Sequence, residues 1–157
     1  MSTTVMNAND VLAGSLGKAF VTIKGKRYNF LQLVDFEAKM DIKIKELAIL
    51  GKTGKANKQG GWSGSWKATA YYNQSVLRKV LLDYKKNGVM PTMDIQIVNE
   101  DKSATIGRQT TVLKGCLLKG GILAKIDAGA ENLEEDIEGT FDDFELPETF
   151  SLIKGMT

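Results

Sequence analysis

The chain has 157 residues, of which 43% are hydrophobic and 25% charged, and this balance suits one soluble domain with a core of its own. It contains no histidine and a single cysteine, which excludes an internal disulfide and a thiolate metal cluster and removes the most common general base. The formal net charge is only +2, yet residues 127–148 hold ten acidic residues and no Lys or Arg, so basic and acidic side chains are segregated along the chain.

The first residues favour an irregular arm followed by a hairpin. Residues 1–17 are small and polar, and we predict an N-terminal arm there. They lack the basic start and apolar run of a signal peptide, and no stretch approaches the length of a transmembrane helix, so we expect folding in a cytoplasm without stable membrane association. In the next segment, KAFVTIKGKRYNFLQL, alternating residues flank a turn at 24–27, which is typical of a β-hairpin.

The clearest pattern in the chain is the amphipathic segment 36–45. Its apolar residues alternate strictly with charged residues, which predicts a strand with one apolar and one charged face. At about 3.3 Å per residue this strand spans about 33 Å, more than the usual length of about five or six residues. Because a small domain cannot cover so long an apolar stripe, we expect its end, with Ile42 and Ile44, to lie against another chain.

The segment 50–61 is rich in Gly, Lys and Asn, and we predict a flexible loop that becomes ordered on assembly. It begins near Gly51-Lys52-Thr53, which matches the end of a phosphate-binding loop. Glu46, however, stands where that motif requires a glycine, and the residues that follow have no helical periodicity. We therefore reject a nucleotide site.

An aromatic strand and one helix follow this loop. In GWSGSWKATAYY, Trp62 and Trp66 lie on one side of a predicted strand, and we favour core or interface packing over a platform for stacking sugars or bases. Residues 73–88 have helical spacing, with Asn73 as the predicted cap, Gly88 as the stop, and one apolar face. That face consists of Val76, Leu77, Val80, Leu81 and Tyr84.

The remaining segments predict strands. TMDIQIVNE and TIGRQTTVLKG form a hairpin, GGILAKID and IEGTFDDFEL are two further strands around an acidic turn, and 147–157 is a C-terminal tail. Cys116 has apolar neighbours, which favours a buried, inert thiol. We predict a mainly β fold in which residues 1–157 form one domain, an antiparallel β-barrel or sandwich of seven or eight strands with one flanking α-helix.

Two blocks of this sequence resemble tail tube proteins of the PBSX prophage type. The first is GKTGKANKQGGWSGSWKATAYYNQSVLRKVLLDYKKNG, a Gly/Lys/Thr-rich loop, an aromatic strand and a helix ending near Tyr-x-Lys-x-Gly, here with an extra Lys before Asn87. The second is LEEDIEGTFDDFELPETF, an acidic turn followed by Thr-Phe-x-Asp-Phe and Leu-Pro-Glu. Together they cover about a third of the chain, in the family's order.

This resemblance implies hexameric rings that stack into a hollow tube inside a contractile sheath, in a phage tail or a headless phage-tail-like bacteriocin. The implied partners are copies of the chain itself, the sheath protein, and the baseplate and tape-measure proteins. DNA would be only a passing cargo in a phage, and no cofactor or metal is implied. The product would be a virion tail component or a released particle.

The charge segregation suggests which residues join neighbouring subunits. We predict that the loop lysines Lys52, Lys55 and Lys58 contact an acidic turn of an adjoining copy. That turn contains Glu134, Glu135 and Asp136. Trp62 and Trp66, together with Ile42 and Ile44, complete the predicted subunit interface.

Two other functions are compatible with parts of the sequence. A hydrolase could use the carboxylates of Asp142 and Asp143, but neighbouring residues of a strand point to opposite faces, and no nucleophile–base pair accompanies them. A nucleic-acid-binding β-barrel could use the basic residues at 24–27 and 52–58, with the tryptophans nearby. We predict a structural protein without enzymatic activity.

Overall fold

Nine strands and one α-helix form the part of the chain that the computed structural model describes, residues 5–157. The predicted mainly β fold with a single α-helix is confirmed, and a short 3-10 helix at Ala8–Asp10 lies within the predicted N-terminal arm, of which residues 1–4 are outside the described part. In chain order the elements are β1 Gly17–Ile23, β2 Lys26–Asn29, β3 Leu33–Ala48, β4 Lys55–Tyr71, α1 Val76–Asn87, β5 Met93–Glu100, β6 Arg108–Lys114, β7 Leu117–Leu118, β8 Glu134–Phe141 and β9 Asp143–Glu148.

The strands form two antiparallel sheets that enclose the core. The first sheet has the order β2-β1-β5-β6-β9 and the second the order β3-β4-β8-β7, so β3 lies at an edge. Apolar side chains from both sheets meet between them, as expected for a sandwich. The buried residues include Val21, Ile95 and Leu113 from the first sheet and Trp66, Ile137 and Phe141 from the second.

Helix α1 covers the core with part of its predicted apolar face. Val80 is fully buried, and Val76, Leu77 and Leu81 pack against the core, whereas Tyr84 is exposed. The helix begins after Ser75 and not at Asn73 as predicted, and no side chain caps it. It ends as predicted at Gly88, whose positive φ of 71° lets its N–H donate to the Tyr84 carbonyl.

The hairpin β3–β4 is much longer than its sequence predicted. β4 pairs with β8 only over Gly64–Tyr71, so its first part pairs with β3 alone. The flexible loop predicted for 50–61 is therefore wrong at 55–61, which is strand, because cross-strand hydrogen bonds with β3 stabilise residues whose local preference is for a loop. Gly60 and Gly61 fit this strand because they lie at a register shift opposite Lys43. We call residues 41–63 the ribbon.

Three predictions for the C-terminal third are wrong. GGILAKID contains no strand, since β7 ends at Leu118 and Gly120 has a positive φ of 143°. The segment 137–146 is two strands in different sheets, because the chain crosses between sheets at Asp142, whose N–H donates to the Lys114 carbonyl at 3.0 Å. The predicted acidic turn at 134–136 is the beginning of β8, and β9 includes Pro147, which an edge strand tolerates.

Both terminal segments are fixed to the loop between β5 and β6. The buried carboxylate of Asp10 accepts hydrogen bonds from the Thr105 N–H at 2.8 Å and hydroxyl at 2.9 Å. Asp101 in turn accepts from the Ala13 N–H at 3.2 Å, and the Ser151 N–H donates to the Ile106 carbonyl at 2.7 Å. The predicted arm and tail therefore both contact the domain.

Candidate assembly surface

The ribbon leaves apolar side chains uncovered. Ile42 is 53% exposed and Ile44 is 67% exposed, and the exposure continues into the turn at Ile49 and Leu50. These two β3 residues are the ones for which the sequence predicted a neighbouring chain. The structure places them where no other element of the described chain covers them, because the part of β4 that precedes Gly64 pairs with β3 and has no second partner strand.

The alternation of β3 continues from a covered half to an uncovered half. Near the domain, Phe36 stacks on Trp66 with 5.7 Å between ring centroids and 15° between planes. Ile42 lies opposite Trp62, past the point where β8 ends. The same apolar face therefore contributes to the core at one end and to the molecular surface at the other.

The two tryptophans, which the sequence grouped together, have different surroundings. Trp66 is buried, and its Nε1–H donates to the Thr140 carbonyl at 3.2 Å, so its assignment to the subunit interface is wrong. Trp62 is 43% exposed and packs against the rings of Phe141 and Phe144, with centroid distances of 6.1 and 6.2 Å. Trp62 therefore belongs to the uncovered surface.

The three predicted lysines also differ in their contacts. Lys52 is exposed in the turn, and Lys55 Nζ lies 3.6 Å from Glu46 Oε2 within the same hairpin. Lys58 lies directly opposite Lys45, which places two like charges side by side on the ribbon. Like charges in this arrangement destabilise a strand pair.

The predicted acidic group is divided by the alternation of β8. Glu135 points into the domain, where Arg78 donates to both of its carboxylate oxygens at 2.7 to 3.1 Å and also stacks over the Tyr72 ring. Burial raises the pKa of Glu135, and the positive charge of Arg78 opposes that rise. Glu135 is consequently wrong as an interface residue, while Glu134 and Asp136 are exposed.

Sequence reasoning missed several charged residues on this sheet. Glu138 extends the exposed alternation of β8, and Lys43 and Lys45 lie on the charged face of β3 beside Lys58. A signal for β8 was present in the sequence, because Asp136 and Glu138 alternate with Ile137 and Gly139, which the structure buries. The alternation was hidden in the sequence by Glu135, an acidic residue at a buried position.

The residues of the alternative hydrolase do not form a recognisable site. Asp142 and Asp143 lie exposed where the chain passes from β8 to β9. Burial raises the pKa of the Cys116 thiol to about 12. Within residues 5–157, no group of three His, Cys, Asp or Glu side chains is placed to hold a metal ion, and no helix is long and apolar enough to cross a membrane.

The basic residues at 24–27 have partners inside the domain. Lys24 Nζ lies 2.9 Å from Asp83 Oδ2, Arg27 stacks over the Phe20 ring at 3.9 Å, and Lys26 lies over the Tyr28 ring at 5.2 Å. These contacts lie within one chain and leave all three side chains exposed. They give that alternative no specific support.

Sequence relatives of this chain occur in Bacillus subtilis (strain 168). The Phage-like element PBSX protein XkdM is 29% identical over 146 residues, which cover 93% of this chain and 97% of the relative. The uncharacterized protein YqbM is 29% identical over 143 residues, which cover 91% of this chain and 95% of the relative.

Solved structures share the fold. A chain of the anti-feeding prophage baseplate has a TM-score of 0.63 and 12% identity, covering 93% of this chain and 97% of its own length. The SPP1 tail tube has a TM-score of 0.61 and 14% identity, covering 92% and 82%. A family model described as phage tail tube protein matches residues 4–148. The resemblance drawn from the two sequence blocks is thereby confirmed, and this chain belongs to the phage tail tube protein family, as a structural protein.

Proposed function

We propose that this chain assembles with copies of itself into hexameric rings, which stack to form the inner tube of a contractile phage tail or a phage-tail-like bacteriocin. The observation that carries the proposal is the uncovered apolar face of the ribbon, with Ile42, Ile44 and Trp62. Membership of the tail tube family supports a structural role, and it supports a second copy of this chain as the partner that covers this face.

Burial of this face supplies a driving force for self-association. A two-stranded ribbon is marginally stable alone in water, so contact with another subunit would stabilise it. Full burial of an isoleucine contributes about 1.5–3 kcal/mol relative to exposure, and Ile42 and Ile44 are both more than half exposed. In a repeating assembly this gain recurs at each subunit.

The edge position of β3 supports lateral association. β3 has 16 residues and, among residues 5–157, pairs on one side only, with β4. An unpaired edge of this length is a template for strand pairing, and closure of a ring would remove it from solvent. The hexameric number comes from the family resemblance.

We infer further partners by analogy with the same fold in larger particles. One matching chain belongs to a sheath–tube complex of an extracellular contractile injection system, with a TM-score of 0.58 and 13% identity over 84% of this chain. By that analogy a sheath protein surrounds the tube. The family resemblance adds a baseplate and a tape-measure protein as partners, and DNA as a passing cargo only if the particle is a phage. Assembly then takes place in the bacterial cytoplasm.

The test is assembly of the purified chain without added ligand. We expect rings or tubes by negative-stain microscopy and large species by analytical ultracentrifugation. The double variant Ile42→Asp with Ile44→Asp should remain small at concentrations where the wild type assembles, because charged groups then occupy a face that must be buried.

A matched control carries the same changes on exposed aliphatic residues outside the ribbon, Leu123→Asp with Ile126→Asp. This control should assemble like the wild type. A wild-type chain that stays monomeric at high concentration would contradict the proposal. So would assembly of the ribbon variant, or equal loss of assembly in the control.

A further inference from the structure

The outer face of the second sheet carries opposite charges at its two ends. On the ribbon, three exposed lysines form what we call the basic cluster, Lys43, Lys45 and Lys58. On the domain, exposed carboxylates at alternate positions of β8 form the acidic row, Glu134, Asp136 and Glu138. Within residues 5–157, none of these six side chains makes an ion pair.

The basic cluster places like charges close together. Lys45 and Lys58 are direct cross-strand neighbours. Lys43 lies on the same face, since a Cβ added at Gly60 would be 3.4 Å from Lys43 Cβ and 3.8 Å from Lys45 Cε. This repulsion acts on a strand pair that β8 does not support. An acidic surface placed against the three lysines would therefore offset their electrostatic repulsion.

One lysine lies beside the acidic row, Lys125, whose Nζ donates to the backbone carbonyl of Glu134 at 2.7 Å and makes no ion pair with the three carboxylates. Lys67, opposite Glu138, is directed to Glu37 on the other side, with Nζ 4.0 Å from Oε2. The carboxylate of Asp136 accepts a hydrogen bond from the Thr69 hydroxyl at 3.0 Å, which leaves its charge in place. The two surfaces are therefore complementary in charge.

The two surfaces cannot meet within one molecule. Lys58 and Thr69, the β4 partner of Asp136, lie eleven positions apart on the same strand, which is about 35 Å at about 3.3 Å per residue. Charges so far apart are screened at physiological salt, where the Debye length is about 8 Å. A second copy displaced along the strand direction brings them together.

We propose that the basic cluster of each copy contacts the acidic row of the next copy along the tube axis. This contact uses different surfaces on the two partners, and because each copy is displaced along the axis relative to the last, it repeats without closing and generates a stack. It rests on the proposed self-assembly and assigns the surfaces that join successive rings. It also replaces the predicted contact of Lys52, Lys55 and Glu135, two of which have partners within the chain.

The experiment uses two triple variants and their mixture. The first reverses the basic cluster with Lys43→Glu, Lys45→Glu and Lys58→Glu, and the second reverses the acidic row with Glu134→Lys, Asp136→Lys and Glu138→Lys. We expect the critical concentration for stacking to rise at least tenfold for each variant alone. A one-to-one mixture should restore the wild-type value, because the ribbon of each variant then meets a row of opposite charge on the other variant.

Circular dichroism and thermal unfolding must show that each triple variant is folded. A control with the same charge reversal on three exposed lysines elsewhere, Lys86→Glu, Lys102→Glu and Lys154→Glu, should assemble like the wild type. Wild-type tubes should weaken as salt is raised. Their axial repeat in micrographs should be about 35 Å, from the strand rise.

The outcomes separate this inference from the proposed function. If the wild type never assembles, the proposed function fails. If the wild type assembles and either triple variant does so equally well, or the folded mixture does not recover, the electrostatic contact is wrong and self-assembly stands. Reversal of the basic cluster that reduces DNA retention and leaves stacking unchanged would assign the lysines to nucleic acid and overturn the inference.

Discussion

Glu134, Glu135 and Asp136 are consecutive acidic residues with two different roles. β8 turns Glu135 inward to Arg78 and the other two outward to solvent. The inward pair is buried, with Arg78 and Glu135 side chains only 16% and 8% exposed, so the loss of one partner leaves an uncompensated charge in the domain. The inward face of β8 therefore stabilises the domain, and its outward face is a candidate binding surface.

We predict that Arg78→Met lowers the free energy of unfolding by about 3 kcal/mol, because it leaves Glu135 buried without its partner. Burial raises the pKa of Glu135 in the folded state, and without Arg78 the opposing contribution is lost. A raised folded-state pKa favours the protonated form, so the variant should lose stability as pH rises through the acidic range toward neutral and regain it on acidification. Urea unfolding at several pH values measures both effects.

The matched control is Arg108→Met, which removes the exposed ion pair with Glu148. Its loss of stability should be much smaller, since exposed ion pairs contribute little. Equal losses of stability in the two variants would contradict this prediction. So would an Arg78→Met variant whose free energy of unfolding does not increase on acidification.

At the level of elements, the contact between β7, β8 and β4 depends on a glycine. A Cβ at Gly139 would overlap the Leu117 carbonyl oxygen and lie 2.5 Å from two ring atoms of Trp66. Gly139 therefore allows β8 to approach β7 while the indole of Trp66 fills the core.

We predict that Gly139→Ala lowers the free energy of unfolding by about 2–3 kcal/mol, because the methyl group displaces Trp66 or separates β7 from β8. Gly61→Ala is the control, since nothing lies within 4 Å of a Cβ there. Thermal unfolding followed by tryptophan fluorescence measures both. A Gly139→Ala variant as stable as Gly61→Ala would contradict the close packing.

At the level of the whole molecule, the sandwich joins a supported domain to an unsupported ribbon. The core lies between the two sheets and under α1, whereas residues 41–63 are largely exposed apart from their pairing with each other and the packing of Trp62 on Phe141 and Phe144. Local stability should fall along β3 and β4 from the core to the turn, because few buried contacts protect the ribbon.

We predict that ribbon amides exchange with deuterium much faster than β5 amides in the unassembled chain, and that assembly slows them at least tenfold. The segment 119–133, which contains no strand, provides an internal reference for a general change in exchange. Hydrogen exchange with mass spectrometry measures this. Ribbon amides already protected in a monomer, or unprotected in tubes, would contradict a role for the ribbon in assembly.

Much of the fold was predictable because it depends on local pattern. Alternation over 36–45, the turn at 24–27 and the apolar spacing of α1 each identified an element, and the buried Cys116 followed from its neighbours. Ile42 and Ile44 were recognised as uncovered because a strand of that length exceeds what one small domain encloses.

The sequence by itself determined the family, the mainly β fold, and the presence of a strand whose apolar face is too long for one domain to cover. The tertiary structure alone decided which of two tryptophans is exposed and which of three acidic residues is buried. It also decided that 55–61 is strand. These outcomes depend on where β8 begins and ends against β4, a pairing of residues about 70 positions apart. The energies of such distant contacts outweigh local preference, and no short stretch of sequence contains them.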